Sequence, residues 1–196
     1  LIAELVGQGD LILMDPVVPD FDMYYSAPWR DFASTEGVLY SIPFRAGHKS
    51  LVWYQPDKFI DIGVTPPVLP ANWEELLGLS DALLAGGHTP FSIGAFSNGP
   101  DGWPLSDFFE NTLLRASGVE IHQRLTGHEI LWTDPRVIEG ALYYLSVLGN
   151  DAYLVGGRAG VISTHWIDAF ERVFNPPFEG AMDPNGNFME GFLPPG

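Results

Sequence analysis

The chain contains no cysteine, which excludes disulfide bonds and thiolate metal sites and removes the usual clue to redox compartment. Basic residues are scarce: 9 Lys and Arg face 25 Asp and Glu, a formal net charge of −16. Such a surface repels phosphate backbones and anionic membranes, so the charge argues against a nucleic-acid partner and against a membrane surface. Charged residues of both signs make up 17% against 46% hydrophobic, too apolar a balance for an intrinsically disordered chain. Pro and Gly break the longest uncharged runs, leaving no sequence long and apolar enough to span a bilayer.

Several catalytic and metal patterns are missing as well. The five histidines, His48, His88, His122, His128 and His165, never fall four apart, so no helical zinc pair forms. There is no Gly-x-Ser-x-Gly nucleophile elbow. Gly156-Gly157-Arg158-Ala159-Gly160 lacks the Gly-Lys-Ser/Thr ending of a phosphate loop and reads as a flexible turn. Asp183 to Asn187 has calcium-like spacing, but Phe188 stands where an EF-hand loop needs Gly, and its closing Glu is absent. No cofactor or metal is expected. A glycoside hydrolase needs two carboxylates about 5–10 Å apart; with so many acids, their number alone selects no pair.

What is present is an ordered alternation of strands and capped helices. The 196 residues suit one domain or parts of two, with 13% aromatics to build a core. Ile2, Leu5 and Val6 share a helical face, ended by Gly7 or Gly9. Phe21 to Phe32 is aromatic and partly helical, interrupted at Pro28. Val38 to Pro43, Ser50 to Tyr54 and Pro90 to Phe96 read as strands, with a short helix from Pro56. Asn72 with Glu75 three residues on predicts a helix start, with Leu76, Leu77, Leu83 and Leu84 buried and Gly86-Gly87 as the stop. A helix is expected from about Pro104 to Ala116, with Phe108, Phe109 and Leu113 inward. Another starts at Asp134-Pro135, with Val137, Ile138, Ala141, Leu142 and Leu145 as its face. Thr164 to Phe174 forms a third, and Gly180-Ala181-Met182 a short strand. The whole is an α/β chain.

Four segments carry a resemblance by their order. They are Gly37-Val38-Leu39-Tyr40-Ser41-Ile42-Pro43; Lys49 to Tyr54; Asn72-Trp73-Glu74-Glu75-Leu76 after a Pro-rich passage; and Gly102-Trp103-Pro104 with Asp107. Ala181-Met182 followed by Gly186-Asn187-Phe188 adds a fifth, with Phe where the family pattern has Trp. Together they resemble the extracellular solute-binding proteins of bacterial ABC transporters, in the carbohydrate-binding, α-glucoside branch. That resemblance implies a partial, two-lobed α/β fold of the periplasmic-binding-protein-like (type II) kind. Residues 1–44 would be part of the first lobe, 45–48 a hinge crossing, 49–189 most of the second lobe, and 190–196 the return to the hinge. The chain opens inside an amphipathic helix and closes on a Pro-rich connector, so it reads as a fragment of a longer protein.

The resemblance further implies no enzyme activity, a location in the periplasm or on the cell surface, an oligosaccharide or α-glucoside ligand, and ABC permease subunits as partners. A carbohydrate-active hydrolase and a binding protein for another solute are the alternatives. A pyranose offers a face of C–H groups and a belt of hydroxyls, which call for an aromatic ring and for carboxylates, amides, Arg or His. Trp103 and Phe188 match the family's stacking positions. His48 aligns with a ligand-contacting position after the crossing, and Arg45 lies near it. Asn98 and Asp101 sit in the loop before Trp103, Asp107 is expected in the first turn of the following helix, and Asn185 is expected to offer an amide beside Phe188. Trp29, Trp53, Trp73, Trp132 and Trp166 are assigned to core.

Overall fold

A computed structural model describes residues 2–65, 70–99 and 102–194. The chain forms two compact units that divide between Ala46 and Gly47.

The first unit contains α1 (Ile2–Gln8), α2 (Phe21–Tyr24), α3 (Ala27–Ala33) and the hairpin β1 (Ser34–Thr35)–β2 (Val38–Leu39). Glu36 and Gly37, both at positive φ, make the two-residue turn that matches strand twist. Phe21, Ala33 and Leu39 are buried, with Met14, Val18, Tyr25 and Ile42 around them. Arg30 holds the outside of this core, paired to Asp15 and, at 3.0 Å, to Asp22. Pro28 lies in the first turn of α3, where its missing N–H costs nothing, and so starts that helix instead of interrupting one. The strand expected over Val38–Pro43 pairs regularly only to Leu39. Beyond it, the Tyr40 and Ser41 amides both turn back to the Ala33 carbonyl, at 3.1 and 3.2 Å. Trp29, expected in the core, is 40% exposed and packs edge-on against Phe32.

The second unit is built on a three-stranded sheet in the order β3 (Leu51–Tyr54), β5 (Gly180–Asn185), β4 (Thr89–Phe91). β5 is antiparallel to β3, with Leu51 opposite Asn185 and Trp53 opposite Asp183. It is parallel to β4 and buried along its whole length. The helices, in chain order, are α4 (Pro56–Asp61), α5 (Trp73–Ala85), α6 (Trp103–Thr126), α7 (Pro135–Leu148), α8 (Gly157–Ser163) and α9 (Trp166–Phe174). Phe59, Leu83, Phe91, Phe108, Val147 and Met182 form the centre of the main core. Phe170, from α9, is fully buried and meets the Trp53 ring edge-on at 5.5 Å.

The α5 start follows from its sequence. The Asn72 side chain accepts from the Glu75 amide at 2.9 Å, and Glu75 Oε2 accepts from the Ala71 amide at 2.8 Å. Asn72→Ala removes the acceptor for one free helix N–H and is expected to cost about 1 kcal/mol, measured as a lower urea midpoint. Leu83 is buried, but Leu84, expected beside it, is exposed.

α6 spans two helical segments, the first of which ends near Ala116, as expected. Gly118, at φ 79°, breaks the helical path between them, and in the second segment Ile121 and Leu125 bury against Leu113 and Val137. α7 also turns a different face inward from the one expected. Val137, Gly140, Val147 and Leu148 are buried, whereas Ile138, Leu142 and Leu145 are exposed. The reason is a close crossing: a Cβ on Gly140 would sit 2.7 Å from the Leu113 Cα, so the helices approach at the glycine. The Gly156–Gly160 segment is not a loose turn. Gly156, at φ 72°, caps α8, and Arg158 pairs with Asp151 at 2.7 Å.

The strand expected over Pro90–Phe96 is regular only to Phe91, yet it stays buried to Ala95. Its continuation bonds to the segment before α9, with the Ala95 amide donating to Val161 and the Phe96 amide to Thr164. This irregular pairing sets the start of α9 beside the carboxyl end of the sheet.

Candidate ligand-binding site

The carboxyl ends of β4 and β5 and the amino ends of α6 and α9 converge. In open α/β sheets this is where ligands bind. Trp103 is the first residue of α6 and Trp166 the first of α9. Beyond β5 the chain turns at Gly186 into a 3-10 segment, Asn187–Phe192, that brings Phe188 and Phe192 to the same place. The Trp103 ring lies 5.4 Å from Trp166 and 5.8 Å from Phe188, and Trp166 lies 6.1 Å from Phe188 and 5.3 Å from Phe192. Trp103, Trp166 and Phe188 are half-buried and Phe192 is exposed, so the cluster keeps ring surface open to solvent.

A charged pair edges this platform. Lys49 Nζ lies 2.9 and 3.1 Å from the two Asp107 oxygens and 5.7 Å from the Trp103 ring centroid. The ammonium thus combines an ion pair with a cation–π contact. Asp107 falls in the second turn of α6, not the first, because the helix begins at Trp103.

The turn under Phe188 is tied on both sides. Asn187 exchanges two hydrogen bonds with His48: its amide donates to the His48 carbonyl at 2.8 Å, and its Oδ1 accepts from the His48 amide at 3.1 Å. Trp53 Nε1 donates to the Gly186 carbonyl at 3.0 Å. Beneath the turn, Asn185 Nδ2 donates to Asp183 Oδ2 at 3.3 Å, and Asn185 Oδ1 accepts from the Gly186 amide at 2.8 Å. Asp183 is 2% exposed, and burial pushes its carboxyl up to about 8 against the opposing pull of the Asn185 hydrogen bond.

The expected site residues therefore separate. Trp103, Phe188 and Asp107 meet on the platform, and the His48 backbone braces it while its side chain is exposed. Asn185 is buried with its amide spent on Asp183 and Gly186, which corrects its expected role: it supports the turn from below and does not present an amide outward. Asn98 is exposed in a turn at φ 56°. Arg45 is exposed and belongs to the first unit. Asp101 lies outside the described residues, as does the Pro-rich passage 66–69.

Trp166, Phe192 and Lys49 join the platform without having been singled out in the sequence. Trp166 continues the Phe170–Val173 stripe and so reads as core; its place at the first turn carries it past the sheet edge. Trp132, also assigned to core, is 68% exposed. Elsewhere in the second unit a groove of about 620 Å³ runs along β3, lined by Val52, Trp73, Phe108, Tyr143 and Pro184, with Arg115 at its polar side. Its lining is chiefly apolar and offers a hydroxylated ligand few partners.

The fold is of the α/β class with an aromatic platform at its strand ends, and residues 2–158 match the family of bacterial extracellular solute-binding proteins. The chain belongs to that family. Its fold is the periplasmic-binding-protein-like (type II) fold, in part. It is 30% identical over 196 residues to the osmoprotective compounds-binding protein GgtB of Synechocystis sp., covering 99% of this chain and 46% of that protein. It is 31% identical over 207 residues to the alpha-glucosides-binding periplasmic protein AglE of Rhizobium meliloti, covering 100% of this chain and 44% of that one. A solved chitin oligosaccharide binding protein shares the fold, with a TM-score of 0.79 at 22% identity over 100% of this chain and 46% of its own. The chain thus spans a little under half the length of these relatives. Each is named as a binding protein.

Proposed function

We propose that this protein is the extracytoplasmic binding component of an ABC importer and that it takes up an α-glucoside or a related neutral oligosaccharide reversibly, without catalysis. The observation that carries the reading is the platform of Trp103, Trp166, Phe188 and Phe192 edged by Lys49 and Asp107. The rings suit the C–H face of a pyranose, while the ammonium donates to and the carboxylate accepts from its hydroxyls. Micromolar affinity corresponds to about −8 kcal/mol. Stacking at about 0.5–1.5 kcal/mol per ring and hydrogen bonds at about 1 kcal/mol each supply that from a handful of contacts. The name of AglE, an alpha-glucosides-binding protein, supports a glucosidic solute, and that of GgtB, an osmoprotective compounds-binding protein, supports a solute-binding role. We assign residues 1–44 to a first lobe, 45–48 to a hinge crossing, 49–189 to a second lobe and 190–196 to the return crossing. The compact-unit boundary at Ala46 supports this assignment. An ABC permease is the proposed partner.

Titration calorimetry of the protein carrying this chain tests the reading. Saturable heat is expected with α-glucosides or longer neutral oligosaccharides and none with polyamines or peptides. Binding of polyamines or peptides without any neutral sugar overturns the sugar assignment. Turnover of a chromogenic α-glucoside would replace binding by hydrolysis.

A further inference from the structure

The buried carboxyl of Asp183 has no place in ligand contact, yet it stands at the root of the turn that carries the platform. Asp183 lies on the central strand directly opposite Trp53, so the two side chains share a face of the sheet. From it a continuous hydrogen-bonded path leads outward, through Asn185 Nδ2 to Asp183 and from the Gly186 amide to Asn185 Oδ1. Gly186 is gripped a second time by Trp53 through its carbonyl. The Phe188 ring lies directly over Gly186, since a Cβ there would come within 2.2 Å of Cε1. Where Gly186 sits, the Phe188 ring follows, and with it the contacts to Trp103 and Trp166.

We propose that Asp183 is a positioning residue for the ligand platform: its uncharged carboxyl anchors Asn185 and, through Asn185, the Gly186 turn beneath Phe188, and its ionisation releases that turn. The proposal deepens the sugar-binding reading and rests on it for the meaning of the platform. A bare carboxylate at this depth is stabilised by one amide and must otherwise draw in water. The amide bond is stronger to the carboxylate than to the acid, but burial outweighs it. Water reaches the group by parting the end of β5 from its neighbours, which displaces Asn185.

The surroundings supply no compensating charge. On α9 the titratable side chains are Asp168, Glu171 and Arg172, with His165 at its cap; α6 brings Asp107, Glu110 and Arg115. β3 contributes Tyr54 and the segment after β5 contributes Glu190, while β4 has none. None of these adds to the shift of Asp183, which comes from burial and from Asn185 alone. The sign for stability follows. Between the unfolded value near ~3.9 and the folded value of about 8, the folded chain holds a proton that the unfolded chain has lost. Stability from this group is therefore full in acid and falls as pH rises across that window.

Carboxyl carbon NMR of the protein with labelled aspartate, taken from about pH 3 to 10, is the test, with tryptophan fluorescence recorded in parallel. One Asp signal is expected to titrate at about 8, with tryptophan emission changing at the same midpoint. Asp183→Asn should abolish both transitions while keeping the hydrogen bond to Asn185. Sugar affinity should weaken about tenfold one pH unit above the midpoint, as the competent fraction falls, and stay level in Asp183→Asn. An Asp183 signal that titrates below pH 5 overturns the proposal, as does an emission change that persists in Asp183→Asn. If the variant folds poorly, the titration of the unsubstituted protein decides. Titration with the emission change but no sugar bound at any pH upholds the positioning role and removes the sugar reading.

Discussion

Trp103→Ala should weaken binding of a neutral sugar at least about tenfold, a loss of ~1.4 kcal/mol, with a smaller effect on folding. Trp103 is the ring that joins the aromatic platform to its charged edge. It meets Trp166 and Phe188 and lies under the Lys49 ammonium. Its removal takes away a stacking face of about 0.5–1.5 kcal/mol and loosens the seat of the Lys49–Asp107 pair. Because the ring is only half-buried, the stability cost should stay near ~1 kcal/mol, in the range of a partly exposed contact. Trp103→Phe keeps a ring and should recover much of the affinity. A stability loss several times larger, with affinity unchanged in the folded fraction, would make Trp103 a core residue.

The largest stability effect is expected at Phe170. It is fully buried where α9 meets the sheet, against Trp53 at 5.5 Å and Phe174 at 4.8 Å. Phe170→Ala deletes a ring from close-packed surroundings and should cost about 3–5 kcal/mol, a large share of the 5–15 kcal/mol that is typical of a domain. α9 also carries Trp166, so the platform should loosen with it. Denaturant unfolding is the measurement, with the midpoint lowered and the slope unchanged. A loss under about 1 kcal/mol would mean that α9 is not seated on the sheet as described.

Much of the scaffold is legible in the sequence because its signals are local. Asn72 and Glu75 announce α5 through capping groups three residues apart, and Asp134 does the same for α7. Pro176-Pro177 follows α9 directly after its cap, Asn175. What is not legible depends on tertiary contact. The inward face of α7 is set by how closely Gly140 approaches Leu113, a fact that belongs to α6 as much as to α7. The second helical segment of α6, beyond the break at Gly118, is held by burial of Ile121 and Leu125 against Leu113 and Val137.

The site divides in the same way. Trp103 and Phe188 are legible from the family pattern. Trp166 is hidden by its position on a buried stripe, and only the end of α9 shows that the ring has passed the sheet edge. Lys49 is hidden because its partner, Asp107, is 58 residues away. Asn185 shows the converse error: an amide beside an aromatic turn reads as a ligand contact, whereas its alternation on β5 points it inward to Asp183.

The central claim is that the aromatic platform at the strand ends receives the ligand. The six tryptophans provide the most direct measurement, because each indole N–H gives its own NMR signal. With an α-glucoside or oligosaccharide added to the protein carrying this chain, the Trp103 and Trp166 signals should shift together. Those of Trp73, in the apolar groove, and of Trp132, exposed between α6 and α7 against Phe109, should stay in place. A shift at Trp73 with Trp103 and Trp166 unmoved would place the ligand in the groove and contradict the account.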